Sequence, residues 1–333
     1  MILENKINLG FFPTPLQNLT RLSERFPGYT IYIKRDDNTG LASGGNKTRK
    51  LEYLFHEAKH QNCNTIITAG AQQSNHCRQT AAACAATGME CHLMLGGTEP
   101  SVYDGNLLLS HLLGAHIHFS GENRKGEDLV WLKAELKKKG KRIYTIPYGG
   151  SNIAGAMGFV NAVGELKRQL TDAQVKIDYI FFASSSGGTQ AGLTLGRDLF
   201  ELNVELIPIN IDKSETGESS LEQAVLNILS DGKKILGLQK KYQIEDIPLV
   251  KDYDKAGYGI ITENEIYAIK ELATNEGILL DPVYTARAFY GMLDYLGNRK
   301  IPAGSNVLFW HTGGLPALFH YADQFKSKTG IHS

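Results

Sequence analysis

Seven apolar runs break into small or polar residues at their C-terminal ends, and stretches of helical composition separate them. The runs cover residues 65–69, 90–95, 116–119, 142–146, 179–183, 205–211 and 307–311. Strand and helix in alternation along the whole length predict a parallel α/β architecture. Two of the strand-to-helix loops carry most of the chemical information.

The first loop follows run 65–69 and reads Gly70-Ala71-Gln72-Gln73-Ser74-Asn75-His76, ahead of an alanine-rich helix over 77–88. Ser74 and Asn75 stand where caps belong, and exposed N–H groups at a helix start make a pocket for an anion such as an amino-acid carboxylate. Simple capping accounts for Ser74 equally well. The second loop follows run 179–183 and reads Ser184-Ser185-Ser186-Gly187-Gly188-Thr189-Gln190-Ala191-Gly192. It bares backbone N–H groups at a positive helix end, and the hydroxyls of Ser186 and Thr189 add donors, which suits a phosphate. A dinucleotide site is the alternative, because Asp212 stands about 20 residues beyond the loop, where a ribose-binding acid belongs. Gly187, Gly188 and Gly192 do not give the G-x-G-x-x-G spacing and no Walker lysine follows, so a single phosphate is favoured. A tight turn with no ligand remains the plain structural account.

A third segment, Ser43-Gly44-Gly45-Asn46-Lys47-Thr48-Arg49-Lys50-Leu51-Glu52, places a lysine between flexible glycines and a helical stretch. Asn46 is expected to cap that helix, with Lys47 at its N-terminus. A helix start favours the neutral amine, and a lysine must lose its proton before it attacks a carbonyl. Lys47 is therefore a candidate Schiff-base nucleophile, which implies an aldehyde cofactor. The competing account is a surface lysine opening an ordinary helix.

Composition narrows the classes. The chain has 333 residues, 42% of them hydrophobic, enough for two domains with real cores. Lys+Arg of 35 balance Asp+Glu of 35, so no nucleic-acid partner is expected. The basic run at 137–142 reads as a solvated helix end. Residues 1–10 mix charges with isolated apolar residues, and no apolar stretch reaches about 18 residues, so no signal peptide and no membrane span are expected and the protein is placed in the cytoplasm. Cys63, Cys77, Cys84 and Cys91 contain no C-x-x-C pair. They read as small packing residues, with no metal or disulfide expected. His116 and His118 share a strand face but their sequence neighbours supply no third ligand, and both stay unassigned.

Taken together, Gly44-Gly45-Asn46-Lys47-Thr48-Arg49-Lys50-Leu51-Glu52, Gln73-Ser74-Asn75-His76 with Arg78-Gln79, Gly187-Gly188-Thr189-Gln190-Ala191-Gly192, Asp281-Pro282-Val283-Tyr284 and His311-Thr312-Gly313-Gly314 resemble one family. It is the group of pyridoxal-phosphate enzymes of the tryptophan synthase β-subunit-like fold (fold type II) that contains 1-aminocyclopropane-1-carboxylate deaminase and D-cysteine desulfhydrase. The motifs stand in the family's order, from the Pro13-Thr14-Pro15-Leu16 opening to the final glycine pair. The resemblance implies two open, mostly parallel twisted sheets flanked by helices. It also implies a large cofactor-binding domain from residues 1–52 plus 159–333, a small domain from 53–158 inserted in it, and a homodimer.

The same resemblance assigns roles. Lys47 would carry pyridoxal phosphate as a Schiff base and then serve as base for the α-proton of a small amino-acid substrate. Ser74, Asn75 and His76 would grip the substrate carboxylate, with Asn75 also on the cofactor's ring hydroxyl. Ser186, Gly187, Gly188, Thr189 and Gln190 would hold the phosphate, Thr285 and Thr312 would lie near the ring, and Tyr258 and Tyr284 would complete the catalytic set. Within the group, deaminases carry a glutamate where this chain has Thr285. A carboxylate can keep a proton on the pyridine nitrogen and so favour ring opening, whereas a hydroxyl suffices to expel a good leaving group. The expected reaction is therefore β-elimination from D-cysteine to pyruvate, ammonia and hydrogen sulfide. Cyclopropane ring opening and L-cysteate sulfo-lyase activity are the alternatives, with a nucleotide-binding oxidoreductase or a non-catalytic pyridoxal-phosphate carrier as readings from other classes.

Overall fold

Nine strands among the described residues form two sheets. The computed structural model describes residues 2–212 and 220–328; the polar, glycine-containing composition of 212–220 predicts a mobile loop, and its residues 213–219 lie outside the described residues. The strands are β1 (Leu16–Asn18), β2 (Thr30–Arg35), β3 (Thr65–Gly70), β4 (Glu90–Leu95), β5 (His116–Phe119), β6 (Ile143–Thr145), β7 (Tyr179–Ser184), β8 (Glu205–Asn210) and β9 (Asn306–His311). The larger sheet runs β1-β2-β9-β7-β8 and the smaller β5-β4-β3-β6. Every pairing is parallel except β1 with β2. The α/β fold with two mainly parallel sheets flanked by helices is thus the fold of this chain.

Parallel sheets covered on both faces need strands that are apolar throughout, and β3 is buried at all six positions. One face of the larger sheet packs Phe181, Ile209 and Phe309 against Phe289 and Met292 of the helix Thr285–Gly297. Its other face packs Phe182, Leu308 and Trp310 against Phe159 and Leu166 of the helix Ile153–Ala173. The smaller sheet sets Ile66, Leu93 and Leu95 against Leu51, Leu54 and Phe55 of the helix Lys47–His60, and Ile67 and Met94 against Leu129 and Leu132 of the helix Leu129–Lys138. Positions 53 and 158 fall inside the helices Lys47–His60 and Ile153–Ala173.

β1 and β2 have no counterpart among the seven apolar runs. β1 is three residues long and mostly exposed. β2 contains Lys34, which is wholly buried because its ammonium bonds Glu165 at 2.5 Å and the Thr14 carbonyl at 2.6 Å. Hydrophobic patterning cannot see a charge that is buried with its partner.

Candidate active site

The C-terminal ends of β3 and β7 face the start of the helix Lys47–His60, and a cleft opens between them. Lys47 heads that helix, but Asn46 does not cap it as expected. Asn46 is itself helical, makes no capping bond, and turns its amide to Thr189 Oγ1 at 3.3 Å. The cap comes from another helix, where Gln79 Oε1 accepts from Thr48 N–H at 2.8 Å and Thr48 Oγ1 at 2.9 Å. Arg78 holds the preceding turn through the Gly44 carbonyl at 2.7 Å. Gly45, at φ 127°, allows the turn to lie against Gln79, since a Cβ there would come within 2.4 Å of the Gln79 amide nitrogen.

Lys47 borders the cleft, and burial lowers its pKa to about 8 even though a hydrogen bond with Lys50 acts the other way. A sizeable fraction of the amine is therefore neutral near physiological pH. Lys50, one helical turn on, is buried, and burial together with Lys47 drives its pKa well below the ordinary lysine value. Besides Lys47 it contacts the Gly149 carbonyl at 3.2 Å and Ser151 Oγ at 3.3 Å, and no ion pair to it occurs among the described residues.

The loop after β7 stands over Lys50. Gly187 adopts φ 82° and leads into the helix Gly188–Leu199 with no side-chain cap. Ser151 Oγ binds Ser186 Oγ at 2.8 Å and accepts from Gly188 N–H at 3.2 Å. A Cβ on Gly188 would lie 2.9 Å from Lys50 Nζ. First-turn helix N–H groups, hydroxyls and a lysine with no carboxylate partner among the described residues thus converge on one small volume, and that donor set fits a phosphate. Gln190 takes another part: its side chain accepts from Ser184 Oγ at 2.7 Å and donates to the Pro248 carbonyl at 2.7 Å.

On the other wall, Ser74 caps the helix Asn75–Thr87 by accepting from Cys77 N–H at 3.2 Å. Asn106 donates to Asn75 Oδ1 at 2.9 Å, which leaves the Asn75 NH₂ as a donor toward the cleft. The hydroxyl of Thr68 donates to the Ile146 carbonyl at 2.9 Å, so its bond of 2.9 Å with His76 Nε2 must be received from the ring. His76 Nδ1 is then a buried lone pair without a partner, and burial with Lys47 and Lys50 nearby keeps the ring neutral by lowering its pKa well below the usual value. In that state the His76 side chain has no proton to offer a carboxylate, and its main-chain N–H in the first helical turn is the donor that remains.

Tyr284 closes the cleft opposite Lys47. Asp281 fixes it, because its carboxylate accepts from the N–H groups of Val283 and Tyr284 at 3.0 Å each and of Thr285 at 2.7 Å. Thr285 Oγ1 is occupied in the same turn, accepting from Asp281 N–H and bonding Asp281 Oδ1, both at 2.7 Å. Tyr258 lies behind Tyr284 with the two phenol oxygens 2.5 Å apart. Burial raises both phenols well above their ordinary pKa, and it pushes Tyr148 on the cleft wall up to about 12, so all three keep their protons. Arg124 sits 4.3 Å over the Tyr258 ring and pairs with Asp212 at 2.6 Å, which is where the acid weighed as a ribose ligand is placed.

Of the residues singled out in the sequence, Lys47, Ser74, Asn75, His76, Ser186, Gly187, Thr189, Tyr284 and Thr312 line the cleft. Gly188, Gln190, Thr285 and Tyr258 stand behind that lining. Sequence reasoning passed over Lys50, Tyr148, Gly149 and Ser151. The signals for them were the three-residue spacing of Lys47 and Lys50 on one helix face, and the glycine pair after β6. A family model described as pyridoxal-phosphate dependent enzyme matches residues 7–313.

The chain belongs to this family of pyridoxal-phosphate-dependent enzymes. Pyridoxal phosphate is its cofactor, and the donor set around Lys47, Lys50 and the loop after β7 fits that group. A D-cysteine desulfhydrase from Klebsiella pneumoniae is 42% identical over 319 residues, which cover 93% of this chain and 94% of the relative. A Pyrococcus abyssi protein named "Putative 1-aminocyclopropane-1-carboxylate deaminase" is 41% identical over 322 residues, 96% of this chain and 94% of its own. A solved ACC deaminase homologue superposes with a TM-score of 0.88 at 35% identity, over 98% of both chains. The family of these pyridoxal-phosphate enzymes thus includes relatives under both names. Among the described residues no helix is long and apolar enough to cross a membrane.

Proposed function

We propose that this pyridoxal-phosphate enzyme eliminates a β-substituent from a small amino acid, D-cysteine foremost, giving pyruvate, ammonia and hydrogen sulfide. One observation carries the choice: among the described residues, none that lines the cleft is acidic. Asp281 is near, but its oxygens are spent on three N–H groups and on Thr285. The described residues therefore offer no carboxylate to keep a pyridine nitrogen protonated, and a cleft of this kind favours expulsion of a good leaving group over opening of a carbon ring.

When bound, pyridoxal phosphate supplies an electron sink for the charge left as an α-proton departs. Lys47, neutral in part because of its low pKa, is the base that takes that proton. Ser74 and the first-turn N–H groups of Asn75 and His76 orient the substrate carboxylate, and Asn75 NH₂ donates to the cofactor's ring hydroxyl. Lys50, Ser186, Thr189 and the N–H groups from Gly187 to Gln190 hold the phosphate. Tyr284, backed by Tyr258, holds a proton beside the leaving sulfur. Ser74 to His76 and Tyr148 come from the unit 53–158, and the loop after β7, Tyr284 and Thr312 from 1–52 plus 159–333. Closure of the first unit on the second would keep water from the reacting carbon.

Ring opening of 1-aminocyclopropane-1-carboxylate is the second reading, favoured by the names of the Pyrococcus relative and of the solved homologue. Keto acid produced from D-cysteine, L-cysteine, L-cysteate and the cyclopropane amino acid separates the readings. Pyruvate from D-cysteine at the highest kcat/KM is expected. Dominant 2-oxobutyrate from the cyclopropane substrate would reverse the assignment.

A further inference from the structure

The sequence sets His116 and His118 on one strand face with no third ligand beside them, and the sheet register supplies what the sequence lacks. β4 and β5 pair in parallel with His92 opposite His116. Glu90 stands two residues before His92 on the same strand, so strand periodicity puts Glu90, His92, His116 and His118 on one face. Their polar atoms converge. His92 Nε2 lies 2.9 Å from Glu90 Oε1, His116 Nε2 lies 3.7 Å from the same oxygen, and one ligand atom from each of the three residues falls within 4.8 Å of the others. The His92 and His116 rings are stacked with centroids 4.6 Å apart.

We propose that Glu90, His92 and His116 form a surface site for a divalent transition-metal ion of the zinc class. Tetrahedral zinc with bonds of about 2.0–2.1 Å sets its ligand atoms about 3.3 Å apart, and the separations in the cluster bracket that value. His116 is the exposed member, so its ring is free to complete the geometry. His92 is buried and held. Its other nitrogen, Nδ1, lies 3.0 Å from His118 Nε2. A cation on Nε2 places the ring proton on Nδ1, and His118 Nε2 accepts it there. His118 is in this way a positioning residue for the ligand His92, the usual arrangement behind a metal-bound imidazole. Two imidazoles and one carboxylate leave a fourth position for water and match the ligand preference of zinc.

The site is separate from the catalytic cleft. Glu90 pairs with Thr65, the first residue of β3, whereas the cleft loop leaves β3 after Gly70, its last. Lys141 sets a limit on affinity. Its ammonium pairs with Glu90 Oε2, turning Oε1 toward the histidines while placing a like charge beside the incoming ion.

The test is calorimetric titration of ZnCl₂ into the tag-free, chelator-dialysed holoenzyme. One Zn²⁺ per chain is expected. His116→Ala should weaken binding at least about ten-fold without altering keto-acid production, because the residue is exposed and distant from the cleft. Lys141→Met should tighten it several-fold, an effect of opposite sign that damage to the fold cannot imitate. Cys63→Ser, which removes the one cysteine that is not fully buried, should bind as the wild type does. The site is refuted if the wild type takes up no stoichiometric Zn²⁺, if His116→Ala binds as tightly as the wild type, or if Cys63→Ser abolishes binding.

Discussion

Within its first four residues the helix Lys47–His60 carries three cations into the protein and treats them in two ways. Arg49 meets Asp36 through two bonds of 2.8 Å and Glu165 through two of 3.0 Å, while Lys34 also donates to Glu165 Oε1 and Trp310 to Asp36 Oδ2. Lys47 and Lys50 meet no carboxylate among the described residues. The electrostatics diverge accordingly. Burial alone would raise the Glu165 carboxyl, yet Arg49 and Lys34 hold it down at about 2, whereas burial lowers Lys47 to about 8 and Lys50 further below its ordinary value. Compensated charge on one side of the helix ties it to β2 and to the helix Ile153–Ala173. Uncompensated charge on the other side is a standing cost to the folded chain, and it persists where a ligand brings the counter-charge. One helix turn thus separates groups that hold the fold from groups that await an anion.

Removing a carboxylate from the compensated side should have the larger effect. Glu165→Gln keeps the shape but strands Lys34 and half of the Arg49 fork, and breaking a buried pair in this way costs about 3–5 kcal/mol. Chemical denaturation should show that loss in cofactor-free and cofactor-loaded protein alike. A loss below about 1 kcal/mol would mean that the network does not lock the helix.

The two sides also differed in how far the sequence revealed them. The loops around Ser74 and Gly187 were legible because each follows a clear strand and precedes a helix, and Lys47 because it stands between a glycine pair and a helical stretch, so local chemistry was enough to single them out. Lys50 was not, since in Lys47-Thr48-Arg49-Lys50 nothing local distinguishes a paired cation from an unpaired one. The distinction rests on Asp36 and Glu165, the latter 116 positions away. The same limit explains Asn46: its capping propensity is local, but Gln79 arrives from another helix and takes the role. It also explains β2, whose buried Lys34 looks like a surface residue until Glu165 is placed beside it. Long-range partners decide what a polar residue does, and patterning reads only near neighbours.

Lys50→Met sharpens the comparison from the open side. The variant fills the same space without a charge, so the cofactor-free protein should be at least as stable as the wild type. Cofactor binding should suffer, because a charge-assisted contact to phosphate contributes about 1.5–3 kcal/mol, a 10- to 100-fold change in Kd. Fluorescence titration of pyridoxal phosphate reads the affinity, and melting with and without cofactor reads the stability gap, which should shrink. An unchanged Kd would place the phosphate elsewhere.

The smallest effect is a slope. The folded chain holds the Lys47 proton with a pKa of about 8, against 10.5 for an ordinary lysine. Between those values this lysine binds more protons in the unfolded chain than in the folded one, so its contribution to the stability of the cofactor-free protein should rise as pH climbs from about 8 toward 10. One proton contributes at most about 1.4 kcal/mol per pH unit. Lys50, shifted in the same direction, adds with the same sign. Above about 10 the trend should reverse, because Tyr258 and Tyr284 keep their protons in the fold after unfolded tyrosines have lost theirs. Lys47→Met should flatten the rise and leave the part due to Lys50 and to Lys34, which burial shifts the same way. The thiol of Cys77, pushed up by burial, and that of Cys91, pushed up by the neighbouring Cys84 thiol and by burial, oppose the rise in the wild type and the variant alike. Denaturant midpoints of the wild type and of Lys47→Met across this window decide the matter, and a wild type that gains no more than the variant from pH 8 to 9.5 would show that the Lys47 amine is compensated after all.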